Sequence, residues 1–115
     1  MRAVLDQTKV SEQALKSIES FHSQYVKEVE AAVAANKYVI VGMKQNPVVK
    51  KARKLLEQNQ TGFKYLEYGS YLSMWKERLA IKLWSGWPTF PMVFVDGKLI
   101  GGCKELTAIL ESKKN

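Results

Sequence analysis

Four apolar residues in succession, Tyr38-Val39-Ile40-Val41, stop at Gly42, and Asn46-Pro47 then reads as the start of a helix. A short apolar run with no polar position fits a buried strand. Asparagine is among the best helix N-caps, and proline is favoured at the first helical position. Val48, Val49, Ala52, Leu55 and Leu56 form the expected buried face of this helix, and Thr61-Gly62 ends it. "FKYLEY", residues 63–68, alternates with period two, as a strand does. Strand, helix and strand in this order require a parallel pair with a right-handed crossover. Further on, "MVFV" (92–95), Asp96-Gly97 and "KLI" (98–100) form a hairpin around the dipeptide preferred in type I′ turns, which requires an antiparallel pair. A sheet that holds both pairs is mixed and four-stranded, with helices on its faces.

The remaining segments are helical. Residues 11–35 carry Leu15, Ile18, Phe21, Tyr25, Val26, Val29 and Val33 at helical spacing, with Ser11 as N-cap and Glu12 in the first turn. Ser70 opens a helix through Trp84 with Leu72, Trp75, Leu79 and Leu83 as inward positions, and Ser85-Gly86 stops it. Gly101-Gly102 breaks the hairpin's second strand, and residues 104–112 suggest a last helix. The order α-β-α-β-α-β-β-α is the thioredoxin-like α/β arrangement. Residues 1–20 are expected to be an N-terminal helical extension and residues 21–115 the domain itself.

With 115 residues, of which 46% are hydrophobic, the chain fills one core. No apolar run is long enough to span a bilayer, so no membrane is expected as a partner. "MRAVLDQTKVSEQAL" lacks the continuous apolar stretch of a signal peptide. The one cysteine, Cys103, excludes an internal disulfide and a multi-cysteine metal site, and a reducing, cytoplasmic setting follows as the default. The net charge is +7, and Lys44, Lys50, Lys51, Arg53 and Lys54 lie in a stretch without acids. Aromatic residues are not interleaved with these cations, so base stacking has no platform and nucleic acid is not the expected partner. A solvated helix face is the ordinary outcome of such a run.

The segment "WPTFPMVFVDGKLIGGC", residues 87–103, resembles the second half of a glutaredoxin. Trp-Pro before Thr-Phe-Pro is similar to the monothiol, CGFS-type branch, and Arg78 stands nine residues before Trp87, as a basic residue does there. The resemblance covers about residues 21–112. It implies the glutaredoxin fold with an extra N-terminal helix, a cis peptide bond at Phe90-Pro91, and a site for glutathione or another extended thiol peptide along Phe90. By the same resemblance Lys44 and Arg78, with Lys82 one turn further, meet the ligand's glycine carboxylate through charge-assisted hydrogen bonds. Gly101 and Gly102 let the backbone approach the ligand closely.

Three departures shape what the resemblance implies for activity. Asn46-Pro47-Val48-Val49 stands where the family has Cys-Gly-Phe-Ser or Cys-Pro-Tyr-Cys. A cysteine there is a thiolate because the helix N-terminus lowers its pKa, whereas Asn46 neither attacks a disulfide nor ligates iron. Gln45 alone separates Lys44 from Asn46, where the branch has several more residues. Lys104 replaces the acidic residue that would hold the ammonium of glutathione, and Glu105 is its neighbour.

The expected function is thus a glutaredoxin-like binding module without the catalytic cysteine, for glutathione or a protein segment in redox-related processes, needing no cofactor. The alternatives are a glutathione-dependent oxidoreductase using Cys103 and, more weakly, iron–sulfur carriage. His22 is expected as a surface or helix-packing residue, far in sequence from any carboxylate of matching role. Trp75, Trp84 and Trp87 are read either as packing residues or as an exposed patch for a protein partner.

Overall fold

In the computed structural model, residues 5–113 are described. The first four residues of the expected extension and the last two residues of the chain lie outside them. A short 3-10 turn, Gln7–Lys9, leads into α1 (Glu12–Ser20) and α2 (Ser23–Ala35). Then follow β1 (Tyr38–Gly42), α3 (Pro47–Gln58), β2 (Lys64–Glu67), α4 (Trp75–Ser85), β3 (Met92–Val95), β4 (Lys98–Gly101) and α5 (Cys103–Lys113). Among the described residues no helix is long and apolar enough to cross a membrane.

The four strands form one mixed sheet in the order β2-β1-β3-β4. The β1–β2 pair is parallel and carries the crossover helix α3, and β1–β3 and β3–β4 are antiparallel. Asp96 and Gly97 both have positive φ, 51° and 81°, as a type I′ turn requires. Strand β1 is buried at every position and alternates between two cores. Val39 and Val41 face Val29 and Ala32 of α2 and Ile81 of α4. Tyr38 and Ile40 face Ala52 and Leu56 of α3 and Cys103, Leu106 and Leu110 of α5. The central strand is continuously apolar because it is covered on both sides.

Two helical expectations are corrected. The segment 11–35 is two helices, because His22 adopts the left-handed region (φ 46°) and ends the periodic run. Helix α4 begins at Trp75, since Ser70 and Ser73 form a hydroxyl-linked turn and Met74 adopts φ 56° before the helix. Its inward residues are Arg78, Ala80 and Ile81. The stripe expected to face inward instead faces solvent: Leu72 is 96% exposed, Trp75 58% and Leu83 60%. Leu79 is also exposed. On α3 the buried residues are Val49, Ala52 and Leu56, whereas Val48 points outward.

Candidate functional site

The loop between β1 and α3 is fixed before any side chain is considered. The Tyr68 N–H donates to the Gly42 carbonyl (2.9 Å), and the Lys44 N–H donates to the Gly69 carbonyl (2.7 Å), extending the β1–β2 pairing past the strand ends. Gln45 then takes φ 63° and turns the chain into α3. Asn46 caps that helix, its Oδ1 accepting from the Val48 N–H (2.9 Å) and the Val49 N–H (3.1 Å). The free N–H groups that would stabilise an anion at a helix N-terminus are thus partly satisfied by a neutral amide. Gly42 permits the helix to sit this close: a Cβ there would lie 2.6 Å from Val49 Cγ1.

A second cluster lies between α4 and α5. The Phe90-Pro91 peptide bond is cis, and both residues are buried. Lys82 Nζ stands 5.5 Å from the Phe90 ring centroid, within the range of a cation–π contact. A Cβ on Gly102 would meet the Pro91 carbonyl oxygen at 3.3 Å, so Pro91 and Gly102 are immediate neighbours. Gly101 has φ 123°, and a Cβ there would collide with the Glu105 side chain at 2.6 Å. Glu105 is tucked back because its Oε1 accepts from the Gly102 N–H (2.8 Å), the reciprocal arm of a helix cap at α5. Lys104 is exposed.

Arg78 has a different setting from Lys44. It is 7% exposed, and its Nη1 donates to the Tyr68 carbonyl (2.9 Å) and the Ser73 carbonyl (2.6 Å). Those bonds tie the end of β2 and the following turn to α4. Lys44 is exposed at the loop. Cys103 is 7% exposed and packed in the α3–α5 core. The tryptophans divide: Trp75 and Trp84 are exposed, while Trp87 packs against the α2–α4 core with its Nε1 buried and unpartnered. Of the basic run, Lys44, Lys50, Lys51 and Lys54 are exposed, and the Arg53 guanidinium lies 4.1 Å over the Tyr65 ring.

Other polar contacts had no signal in the sequence. Tyr68 donates its hydroxyl to Glu28 of α2, forty positions away, and its ring meets Tyr25 edge-on. Burial, then this hydrogen bond and the Glu28 charge, push the Tyr68 hydroxyl above its ordinary value of 10.0. Tyr65 is pushed up to about 12, chiefly by burial and then by its hydrogen bond to Glu67. His22 Nδ1 lies 3.6 Å from Glu77 Oε1 of α4, a carboxylate far from it in sequence. Residue spacing along one helix cannot reveal the Tyr68–Glu28 and His22–Glu77 pairs, because their partners arrive from other elements.

Comparison with known proteins places this arrangement. The glutaredoxin family model matches residues 39–100, which span β1 to β4 and the site loops. A glutaredoxin-like protein of Dictyostelium discoideum is 51% identical over 98 residues, covering 85% of this chain and 80% of that protein. Among solved structures, a mutated buckwheat glutaredoxin superposes with a TM-score of 0.72 at 23% identity, covering 84% of this chain and 87% of that one. A buckwheat glutaredoxin–glutathione complex gives a TM-score of 0.69 at 22% identity, covering 84% and 87%. These two structures establish the fold, and the family match with the Dictyostelium relative establishes the kinship. The chain belongs to the glutaredoxin family.

Proposed function

We propose that this chain is a glutaredoxin-fold binding module, akin to the monothiol branch, that holds glutathione or an extended thiol peptide without thiol–disulfide chemistry. The observation that carries the reading is Asn46. By the sequence resemblance it stands at the family's nucleophile position, and its Oδ1 is committed to the Val48 and Val49 N–H groups. A carboxamide offers no thiolate to attack a disulfide. The same residue leaves the position without a sulfur ligand, so the donor set does not fit an iron–sulfur cluster. Cys103 does not replace it, because its thiol is packed in the core and reaches a disulfide only when α5 opens locally.

A ligand laid beside Phe90 and Pro91 would meet Gly101 and Gly102 through backbone, with Lys44 and Lys82 as the mobile cations for its carboxylate. Arg78 serves this site as the anchor of the Tyr68–Ser73 carbonyls rather than as a free charge. On the opposite side Lys104 repels an ammonium, and Glu105 is held by Gly102. The reading therefore favours ligands bound by their carboxylate end, with glutathione bound more weakly than where an acid faces its ammonium. That one similar fold is solved as a glutathione complex supports the choice of ligand class.

The test is titration of reduced glutathione into the labelled chain, followed by amide NMR shifts. Shifts at Lys44, Phe90, Gly101 and Gly102 are expected, and their absence at millimolar ligand would sink the proposal. A glutathione-dependent reductase assay is expected to show no turnover, with or without Cys103→Ser. Turnover that disappears in the serine variant would restore the enzyme reading.

A further inference from the structure

Helix α1 is anomalous in this fold. It is amphipathic, properly capped by Ser11, and nine residues long, yet none of its residues is buried. An isolated helix of that length is marginal in water, and helices of globular proteins are held by packing of an apolar face. Beside α1 runs a groove of about 450 Å³ lined by Ile18, Phe21, Val26, Ala80, Leu83 and Trp84. Its far wall continues along α4 as Trp75, Leu79 and Leu83, one helical turn apart and all exposed. The radius of gyration is 15.4 Å, against ~13 Å for a compact domain of this length, as when one element stands off the body.

We infer that this face is a two-fold interface between copies of the chain, in which α1 of each copy lies along the exposed Trp75–Leu79–Leu83 stripe of α4 of the other. Two observations choose a second copy in this orientation. The first is charge. Helix α1 carries Glu12, Lys16 and Glu19, net −1, whereas α4 presents Lys76 and Lys82, its Glu77 lying against His22 and its Arg78 being buried. Setting α1 on the other copy's α4 brings opposite charges together, while α1 on α1 or α4 on α4 brings like charges together. The second is area. The exposed parts of Ile18, Trp75, Leu79, Leu83 and Trp84 amount to on the order of 500 Å² of apolar surface. That is most of the ~800 Å² a standard interface takes from each partner, and α1's own polar flank supplies the rim. Because α1 and the Leu83 end of the α4 stripe lie on the same face, the two-fold arrangement closes at two copies. The general repulsion between two +7 chains acts at long range and is screened within ~8 Å at physiological ionic strength.

Sedimentation of the full chain across micromolar to submillimolar concentration tests this, together with amide hydrogen exchange of α1. We expect a species of twice the 13.1 kDa monomer mass, and exchange protection of α1 that rises with concentration. Ile18→Glu and Leu83→Glu, both at exposed positions, should each weaken the dimer about tenfold or more. Glu12→Lys with Glu19→Lys should weaken it severalfold. A chain that stays monomeric, a dimer indifferent to both apolar substitutions, or α1 protection that is independent of concentration would each overturn the inference. The last of these would indicate that α1 folds onto its own α4. If a glutamate variant fails to fold, the exchange experiment on the unaltered chain decides.

Discussion

Helices α3 and α4 each follow a strand of the parallel pair and differ in what fixes their orientation. Asn46 and Pro47 start α3 as their chemistry dictates, and the apolar residues Val49, Ala52 and Leu56 go inward. Helix α4 begins without a side-chain cap, turns the charged Arg78 inward, and leaves Trp75, Leu79 and Leu83 in solvent. The difference teaches that a helix end is a local matter, whereas the choice of buried face belongs to the surroundings. The carbonyls of Tyr68 and Ser73 need a donor, and Arg78 is the α4 residue that reaches them. Meeting that demand rotates the stripe outward.

The sharpest way to break this comparison is Arg78→Ala. It leaves the Tyr68 and Ser73 carbonyls without their donor and should lower stability by about 3 kcal/mol in urea unfolding. A loss below about 1 kcal/mol would mean that Arg78 is not what orients α4. On the α3 side, Gly42→Ala forces a Cβ against Val49 and should cost about 2 kcal/mol. Adding Val49→Ala should recover part of that loss, measured as the coupling in a double-mutant cycle.

Asn46 sharpens the functional half. Asn46→Ala removes the cap and should cost about 1 kcal/mol. In a Cys103→Ser background, Asn46→Cys should give a thiol that titrates below the ordinary ~8.5, read from the pH dependence of alkylation. An ordinary value would show that the α3 N-terminus does not suit a thiolate.

A smaller effect lies at high pH. Because folding holds the Tyr68 and Tyr65 protons more tightly, the unfolded chain releases its tyrosine protons first. Their contribution to stability is intact below pH 10 and declines as pH rises from there through the folded values. Tyr68→Phe should flatten the fall of Tm with pH above 10, and an unchanged slope would count against the Glu28–Tyr68 bond. The smallest effect is expected at Leu72→Ser, within ~0.5 kcal/mol, because the side chain is 96% exposed. A loss comparable to that of a core leucine would restore the inward stripe.

The sequence by itself determined the strand order's constraints, the α3 cap and the Asp96-Gly97 turn, whose signals come from residues close to one another along the chain. Caps, turns and strand alternation act through short-range sterics and hydrogen bonds, so they are legible along the chain. The tertiary structure alone decided that His22 would divide the first helical run and that Glu77 would lie beside it. It also decided that Glu105 would cap α5, that Arg78 would be buried, and that Ile18 of α1 would be exposed. Each of these depends on which groups other elements bring within reach. A periodic pattern records how much apolar surface a helix carries, but the neighbour that covers it is chosen by the packing of the whole.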